Sequence, residues 1–225
     1  MEAPAPTTAP AYTAVVVAGG DPIGAATAAL LPHDALVIAA DSGVEHAQSL
    51  GLRIGLIVGD LDSADPAAVD AAVADGAAVE RHPAAKDATD LELALRAARD
   101  RGVTRIVVVG GYGGRLDHFL GNALVLAGAD LVGVAVEWLV DGARLTVVRD
   151  RATLEGKPGD LCSLLAVGGP AVGVTTRGFR FPLAGEDLLP GSTRGVSNEL
   201  LEPTAEVTLG GGVLLAVQPK NGGKQ

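Results

Sequence analysis

The chain has 225 residues, a net charge of −10, 48% hydrophobic residues and a single cysteine, Cys162. That length and apolar content suffice for one large or two modest domains with a real core, while the acidic balance disfavours nucleic acid as a partner, since phosphate-backbone binding draws on clustered Lys and Arg. One cysteine excludes an internal disulfide and a thiolate zinc cluster, and the longest apolar stretch, residues 131–140, is interrupted by Glu137 and too short to cross a bilayer, so no membrane partner and a cytoplasmic location are expected.

Residues 1–12, rich in Pro, Ala and Thr, read as a disordered leader rather than a secretion signal. Residues 13–18 form a β-branched apolar run ending in Gly19-Gly20, the pattern of a buried strand and a tight loop, with no G-x-G-x-x-G dinucleotide fingerprint. Residues 35–40 repeat the design and end in Asp41-Ser42-Gly43; a helix over 44–50 follows, stopped by Gly51. The run from Leu56 ends in Gly59-Asp60-Leu61-Asp62-Ser63, placing two carboxylates where a parallel sheet opens towards its ligand. Two residues apart, they point the same way in an extended strand end, whereas a helix would splay them by about 200°. Hard oxygen ligands of this kind suit Mg²⁺. The alternative is a capped turn, with Asp62 or Ser63 as N-cap of a helix beginning near Pro66.

A helix over 66–75 and a short strand over 78–81 come next. Lys86-Asp87-Ala88-Thr89-Asp90 opens a further helix whose Leu91, Leu95 and Ala98 fall at sheet-facing spacing, with Asp87 and Asp90 at the end where negative charge is favoured. A cation beside carboxylates at such a junction suits a polyphosphate and its metal. The strand over 105–109 runs into Gly110-Gly111-Tyr112-Gly113-Gly114, which lets backbone wrap closely around a ligand, and then into a helix whose free N–H groups favour phosphate; the Lys-Ser/Thr of a Walker A loop is missing. On that helix Leu116, Leu120, Ala123 and Ala127 are expected to face the core, and Arg115, His118 and Asn122 to line another face beside Asp117.

Strands over 134–140 and 144–148 flank the hairpin signal Asp141-Gly142. From Gly159 the chain becomes short strands without a convincing helix, at 161–167, 172–176, 206–209 and 213–217. The expected organisation is an N-terminal parallel-sheet α/β domain over residues 13–152 and a C-terminal antiparallel β-sandwich domain over residues 153–225, frayed after Pro219.

Taken in series, Ala40-Asp41-Ser42-Gly43, Gly59-Asp60-Leu61-Asp62-Ser63, Lys86-Asp87-Ala88-Thr89-Asp90-Leu91-Glu92, Gly113-Gly114-Arg115-Leu116-Asp117-His118 and Gly195-Val196-Ser197-Asn198-Glu199 give the chain a resemblance to the thiamine pyrophosphokinase family that spans about residues 15–217. The resemblance implies an ATP-binding α/β domain, a thiamine-binding β-sandwich and a homodimer with active sites at its interface. It also implies Mg²⁺-dependent transfer of pyrophosphate from ATP to the hydroxyl of thiamine, giving thiamine diphosphate and AMP. By position it puts Asp60, Asp62 and Asp90 on the metal, with Lys86 and Arg115 completing the catalytic group. Ser63, Lys86, Asp87, Thr89, Gly113, Gly114 and Arg115 fall on the ATP phosphates. Asp41, Gly43, Asp117, His118, Asn122, Ser197 and Asn198 fall on thiamine.

Where the family often reads Asp-Gly-Gly-Ala-Asn, this chain has Asp41-Ser42-Gly43-Val44-Glu45, which puts the contacts of the replaced residues in question. Phe181 is the candidate for stacking on the substrate, with β-domain core as its alternative. The competing functions are a related pyrophosphokinase acting on another hydroxymethyl heterocycle, such as a pterin, and a non-catalytic thiamine- or nucleotide-binding protein. The complete set Asp60, Asp62 and Asp90 argues against the second, and residues 195–199 favour thiamine.

Overall fold

The computed structural model describes residues 12–220; the expected leader, Tyr12 apart, and the tail beyond Lys220 lie outside the described residues. Six strands run parallel: Thr13–Val17 (β1), Leu36–Ala40 (β2), Leu56–Gly59 (β3), Ala78–Arg81 (β4), Arg105–Val109 (β5) and Ala135–Val140 (β6), in the order β6-β5-β1-β2-β3-β4. Five helices connect them: Ala25–Ala28 (α1), Gly43–Ser49 (α2), Pro66–Ala74 (α3), Asp90–Asp100 (α4) and Leu116–Leu126 (α5). The central strands are apolar without alternation because both sheet faces are covered. Ala14 and Val16 of β1 enter the cluster beneath α4, with Leu91 and Leu95, while Val15 and Val17 enter the one built with Val44 of α2 and Val69 of α3. The strand order reverses at β1, which has β2 on one side and β5 on the other, so a crevice opens at their carboxyl ends.

The Asp141-Gly142 signal holds: φ is 45° at Asp141 and 74° at Gly142, and the hairpin turns β6 antiparallel into Ala143–Val148 (β7). The remaining strands are Arg151–Glu155 (β8), Leu161–Ala166 (β9), Ala171–Arg177 (β10), Ala184–Leu188 (β11), Asn198–Glu199 (β12), Thr204–Thr208 (β13) and Leu214–Gln218 (β14). Strands β14, β9 and β12 extend the large sheet beyond β7, giving ten strands, and a four-stranded sheet β11-β10-β13-β8 faces that antiparallel end. Val148, Leu164, Val174, Val207 and Leu214 fill the space between the sheets. The fold class is therefore the expected one, α/β followed by an antiparallel sandwich, but one wall of the sandwich is a continuation of the parallel sheet. Strands β8 and β11 escape sequence reading because Arg-Ala-Thr-Leu-Glu and Ala-Gly-Glu-Asp-Leu each bury a single large apolar residue, Leu154 and Leu188. Cys162 is fully buried in β9, and burial pushes its thiol up to about 12, which suits core packing and not nucleophilic chemistry.

Helix α5 corrects an expectation. Leu116 and Leu120 do not face the core; they are 70% and 54% exposed, and Leu124, one turn further along the same stripe, is 60% exposed. The inward face is instead Phe119, Asn122, Ala123 and Leu126, at i, i+3, i+4 and i+7, with Phe119 packed at 5.3 Å between ring centroids on Trp138 of β6. Among the described residues no helix is long and apolar enough to cross a membrane.

Candidate functional site

Strands β1, β2, β3 and β5 end on the same side, and the turns that follow them meet. Gly19, Gly20, Asp41, Ser42, Asp60, Asp62, Ser63, Gly111, Gly113 and Gly114 line a cleft of about 500 Å³, joined by Thr89 and Asp90 at the start of α4 and by Arg115, His118 and Asn122 at the start of α5. A larger cavity of about 610 Å³ lies at the opposite ends of β2 and β3, between Leu36, Arg53 and Gly55, and no carboxylate lines it.

Two backbone devices draw the acidic side chains together. Asp41 leaves β2 at φ 48°, its N–H donating to the Val58 carbonyl of β3 at 2.9 Å, which sets the turn after one strand against the end of the next. After β3 the chain reverses through Leu61 at φ 64°, and the Asp62 N–H donates to Asp60 Oδ1 at 3.3 Å. Asp60 and Asp62 thus share a side because of a turn, not because of an extended strand end. The capping alternative falls to another residue: Asp65 caps α3, its side chain accepting from the Ala67 N–H at 3.0 Å. Thr89 caps α4 by accepting from the Glu92 N–H at 3.2 Å, so Asp90 is free of that duty.

One oxygen from each of Asp41, Asp60 and Asp62 lies within 4.8 Å of the others. On an octahedral Mg²⁺ neighbouring ligand oxygens are about 2.9 Å apart and opposite ones about 4.2 Å, so these side chains would have to close in by up to about 2 Å, within the reach of a rotamer adjustment. Asp90 joins the rim differently. Lys86 Nζ donates to Asp60 Oδ2 at 2.8 Å and to Asp90 Oδ1 at 2.5 Å, bridging the acidic loop to α4. Asp41, assigned by resemblance to thiamine, therefore stands with the carboxylates, while Asp90 is held by the lysine.

The electrostatics fit a dication. Burial resists the charge on Lys86, yet hydrogen bonds and attraction from Asp60 and Asp90 outweigh it and its pKa is raised; Asp60 is lowered, first through the hydrogen bond from Lys86. Asp41 is raised, chiefly by desolvation and then by the charges of Asp90, Asp62 and Asp60, against a lowering backbone hydrogen bond at Ser42. Its Oδ1 is buried without a hydrogen-bond partner among the described residues. A hard cation would satisfy that oxygen and relieve the repulsion together.

This sets a sign for stability. A carboxyl whose folded pKa lies above its unfolded value contributes stability at low pH that is lost as pH rises through the folded pKa, so ionised Asp41 weighs against the metal-free fold at neutral pH. Asp41→Asn is expected to raise Tm at pH 7 without metal, by about 2–4 °C for each kcal/mol of repulsion relieved, and to lose the gain below about pH 3, where the parent carboxyl is protonated. Thermal melts across pH measure this; a lower Tm at pH 7 would mean that the buried oxygen is already stabilised.

The glycine loop is pinned, not slack. Trp138 Nε1 donates to the Gly110 carbonyl at 2.8 Å, Asn122 Nδ2 to the Gly111 carbonyl at 3.1 Å, and the Gly111 N–H to the Gly19 carbonyl at 2.7 Å. Gly113 has φ 103°, a conformation that side chains rarely adopt and glycine takes freely, and the Asp21 carboxylate lies 2.3 Å from where a Cβ would stand. Trp138 is a supporting residue that sequence reading missed, because it sits in a strand remote from every motif.

The other expected residues divide. Ser63 Oγ donates to Asp62 Oδ1 at 2.9 Å. Arg115 forms an exposed two-bond ion pair with Asp117, which the guanidinium holds down at about 2; exposed pairs of this kind open readily. Asp117 itself, Asp87 and Gly43 do not line the cleft. Gly43 is buried where a Cβ would come within 2.0 Å of the Val17 carbonyl oxygen, so it seats α2 against β1. Ser197 and Asn198 lie in the β half, away from the cleft: the Ser197 N–H donates to Ser163 Oγ at 3.0 Å, and the Asn198 amide is committed to the backbone of Phe181, accepting its N–H at 3.0 Å and donating to its carbonyl at 2.7 Å. Phe181 is 55% exposed with Arg180 5.7 Å above its ring, so the core alternative for it is wrong; Asn198 displays it to solvent.

Comparison with known proteins bears on both halves. The family model for the catalytic domain of thiamin pyrophosphokinase matches residues 27–134, and that for the vitamin B1 binding domain of thiamin pyrophosphokinase matches residues 149–214. A thiamine pyrophosphokinase of Bacillus subtilis is 28% identical over 144 residues, 63% of this chain and 67% of that protein. The crystal structure of the thiamine pyrophosphokinase from Bacillus subtilis superposes with a TM-score of 0.80 at 26% identity, covering 93% of this chain and 99% of that one. A thiamin pyrophosphokinase family protein from Enterococcus faecalis gives 0.76 at 25% identity, with 93% and 99% covered. The thiamin pyrophosphokinase from Candida albicans, 13% identical, shares the fold at 0.76 over 92% of this chain and 89% of that one.

Proposed function

The chain belongs to the thiamin pyrophosphokinase family, and from that premise we propose how its own residues transfer a pyrophosphoryl group from ATP to thiamine. It is a kinase-type transferase of thiamine diphosphate formation. In the reaction proposed, the hydroxyl oxygen of thiamine attacks the β-phosphorus of ATP, the bond from that phosphorus to the α–β bridging oxygen breaks, AMP leaves, and the hydroxyl proton passes to solvent. Phosphoryl transfer asks the protein for positioning and charge compensation more than for covalent work. The observation that carries the reading is the convergence of Asp41, Asp60 and Asp62 in a cleft walled by a pinned glycine loop.

Asp60 and Asp62 are the proposed holders of Mg²⁺, with Asp41 beside them and Asp90 within reach across Lys86. Mg²⁺, when bound, would supply Lewis-acid compensation of the charge that builds on the phosphate oxygens. Lys86 does not line the cleft; it fixes Asp60 and Asp90 relative to each other, and its charge offsets part of theirs. Gly113, Gly114 and the first N–H groups of α5 favour phosphate, and Arg115 exchanges Asp117 for phosphate oxygens when nucleotide arrives. Thr89 and Ser63 keep the two acidic segments in shape, and His118 and Asn122 complete the wall on which thiamine is placed.

In one chain Ser197, Asn198 and Phe181 do not reach that wall. A homodimer answers this, the β half of one copy closing the cleft of the other. The exposed stripe Leu116, Leu120 and Leu124 supports a covering partner, since monomers seldom leave such apolar faces bare. A cytoplasmic setting, where ATP is available, is part of the proposal.

The test is direct. Purified protein should form AMP from ATP only when thiamine and Mg²⁺ are both present, and should show little AMP with a hydroxymethyl pterin in place of thiamine. Absence of thiamine-dependent AMP would end the reading.

A further inference from the structure

Helix α2 carries a carboxylate that grips the acidic loop from behind. Glu45 Oε1 accepts the Asp65 N–H at 2.6 Å, a short bond of the charge-assisted kind. Asp65 is where the acidic loop ends, because its own side chain starts α3. Residues 60–65 are thus held at one end by β3 and at the other by Glu45. A second tie runs beside it, from Gln48 Nε2 to the Ala68 carbonyl at 2.8 Å, fixing α2 to α3. Helix α2 also follows directly on Asp41 and Ser42, and Gly43 locks its start onto β1. One rigid turn of helix therefore links Asp41 to the loop that bears Asp60 and Asp62. The other oxygen of Glu45, Oε2, is buried without a hydrogen-bond partner among the described residues.

We propose that Glu45 is a positioning residue: by holding the Asp65 N–H it sets the spacing between Asp41 and the pair Asp60 and Asp62, and so the ability of the three to share one Mg²⁺. This rests on the pyrophosphokinase reading above. Glu45 does not line the cleft; it acts through the backbone of Asp65, as outer partners of metal ligands do.

The test compares Glu45→Ala, which removes the acceptor, with Glu45→Gln, which keeps an acceptor oxygen, in the full chain. Hydrogen exchange over residues 59–66, followed without metal or substrate, should speed up in Glu45→Ala and stay near the parent in Glu45→Gln. The Mg²⁺ concentration for half-maximal AMP formation should rise about tenfold in Glu45→Ala, at unchanged KM for thiamine, and by no more than about threefold in Glu45→Gln. Parent-like exchange in Glu45→Ala overturns the proposal, and so does faster exchange with an unchanged Mg²⁺ requirement, which would mean a purely structural bond. Should Glu45→Ala fail to fold, Glu45→Asp, one methylene shorter, must show the raised Mg²⁺ requirement; a parent-like Glu45→Asp then overturns it. A parent inert towards thiamine marks failure of the pyrophosphokinase reading, whereas an active parent with an indifferent Glu45→Ala marks failure of the positioning role alone.

Discussion

Asp60→Asn is expected to slow AMP formation by about 1000-fold or more, equivalent to roughly 4 kcal/mol of transition-state stabilisation, while the fold survives. Among the described residues, Asp60 belongs both to the carboxylate cluster and to the Lys86 bridge. Its oxygens stand with those of Asp41 and Asp62, and it accepts from Lys86 at 2.8 Å. The amide removes the proposed metal ligand and, with it, the partner that helps hold Lys86 in register. Stability should change little, because two effects oppose each other. A half-buried ion pair is weakened, but one of three mutually repelling carboxylates is neutralised and Lys86 keeps Asp90. Circular dichroism melts should therefore place the variant within a few degrees of the parent, and Asp70→Asn, on the exposed side of α3, serves as a neutral control. A variant retaining more than a tenth of the parent rate would falsify the metal role, whatever the family resemblance.

Much of this site was legible in the sequence, and the reason is geometrical. In a parallel sheet every strand that is covered on both faces is a continuous apolar run, so its carboxyl end is marked by the first Gly or Asp. Asp41, Asp60 and the loop after Val109 were located that way, and the sheet order then placed them together. What the sequence does not encode locally is which side chain meets which. Asp41 and Asp60 are brought within reach only because β2 and β3 are neighbours and because two non-glycine residues, Asp41 and Leu61, adopt positive φ. The Lys86 bridge hides for the same reason, as its partners lie 26 positions away and four positions away.

Helix α5 shows the other limit. Leu-Asp-His-Phe-Leu-Gly-Asn-Ala-Leu-Val-Leu contains two apolar stripes, one through Leu116, Leu120 and Leu124 and one through Phe119, Ala123 and Leu126. Periodicity cannot rank them, since both have the helical period. The choice is made by Trp138, whose ring takes Phe119 and whose indole N–H takes Gly110. The stripe left outside is the one that the proposed homodimer would cover.

That stripe gives the second large effect: Leu120→Asp is expected to convert the proposed dimer into a monomer and to lower activity by about 100-fold or more. In a twofold interface one substitution appears on both copies of the same patch, so two desolvated carboxylates would replace two leucines. Within the chain the change is mild, because Leu120 is 54% exposed and Asp there meets water. Size-exclusion chromatography with light scattering reads the first effect and the AMP assay the second, while an unchanged Tm separates both from misfolding. Mixing then asks which residues share a site. If Asp60 of one copy works with Phe181 of the other, the heterodimer of Asp60→Asn with Phe181→Ala has one intact site and one doubly altered site. Random exchange puts half the molecules in heterodimers, so about a quarter of the parent activity should return from two poorly active parents. If each cleft were completed by its own chain, no heterodimer would contain an intact site, and the mixture would stay at the average of its two components.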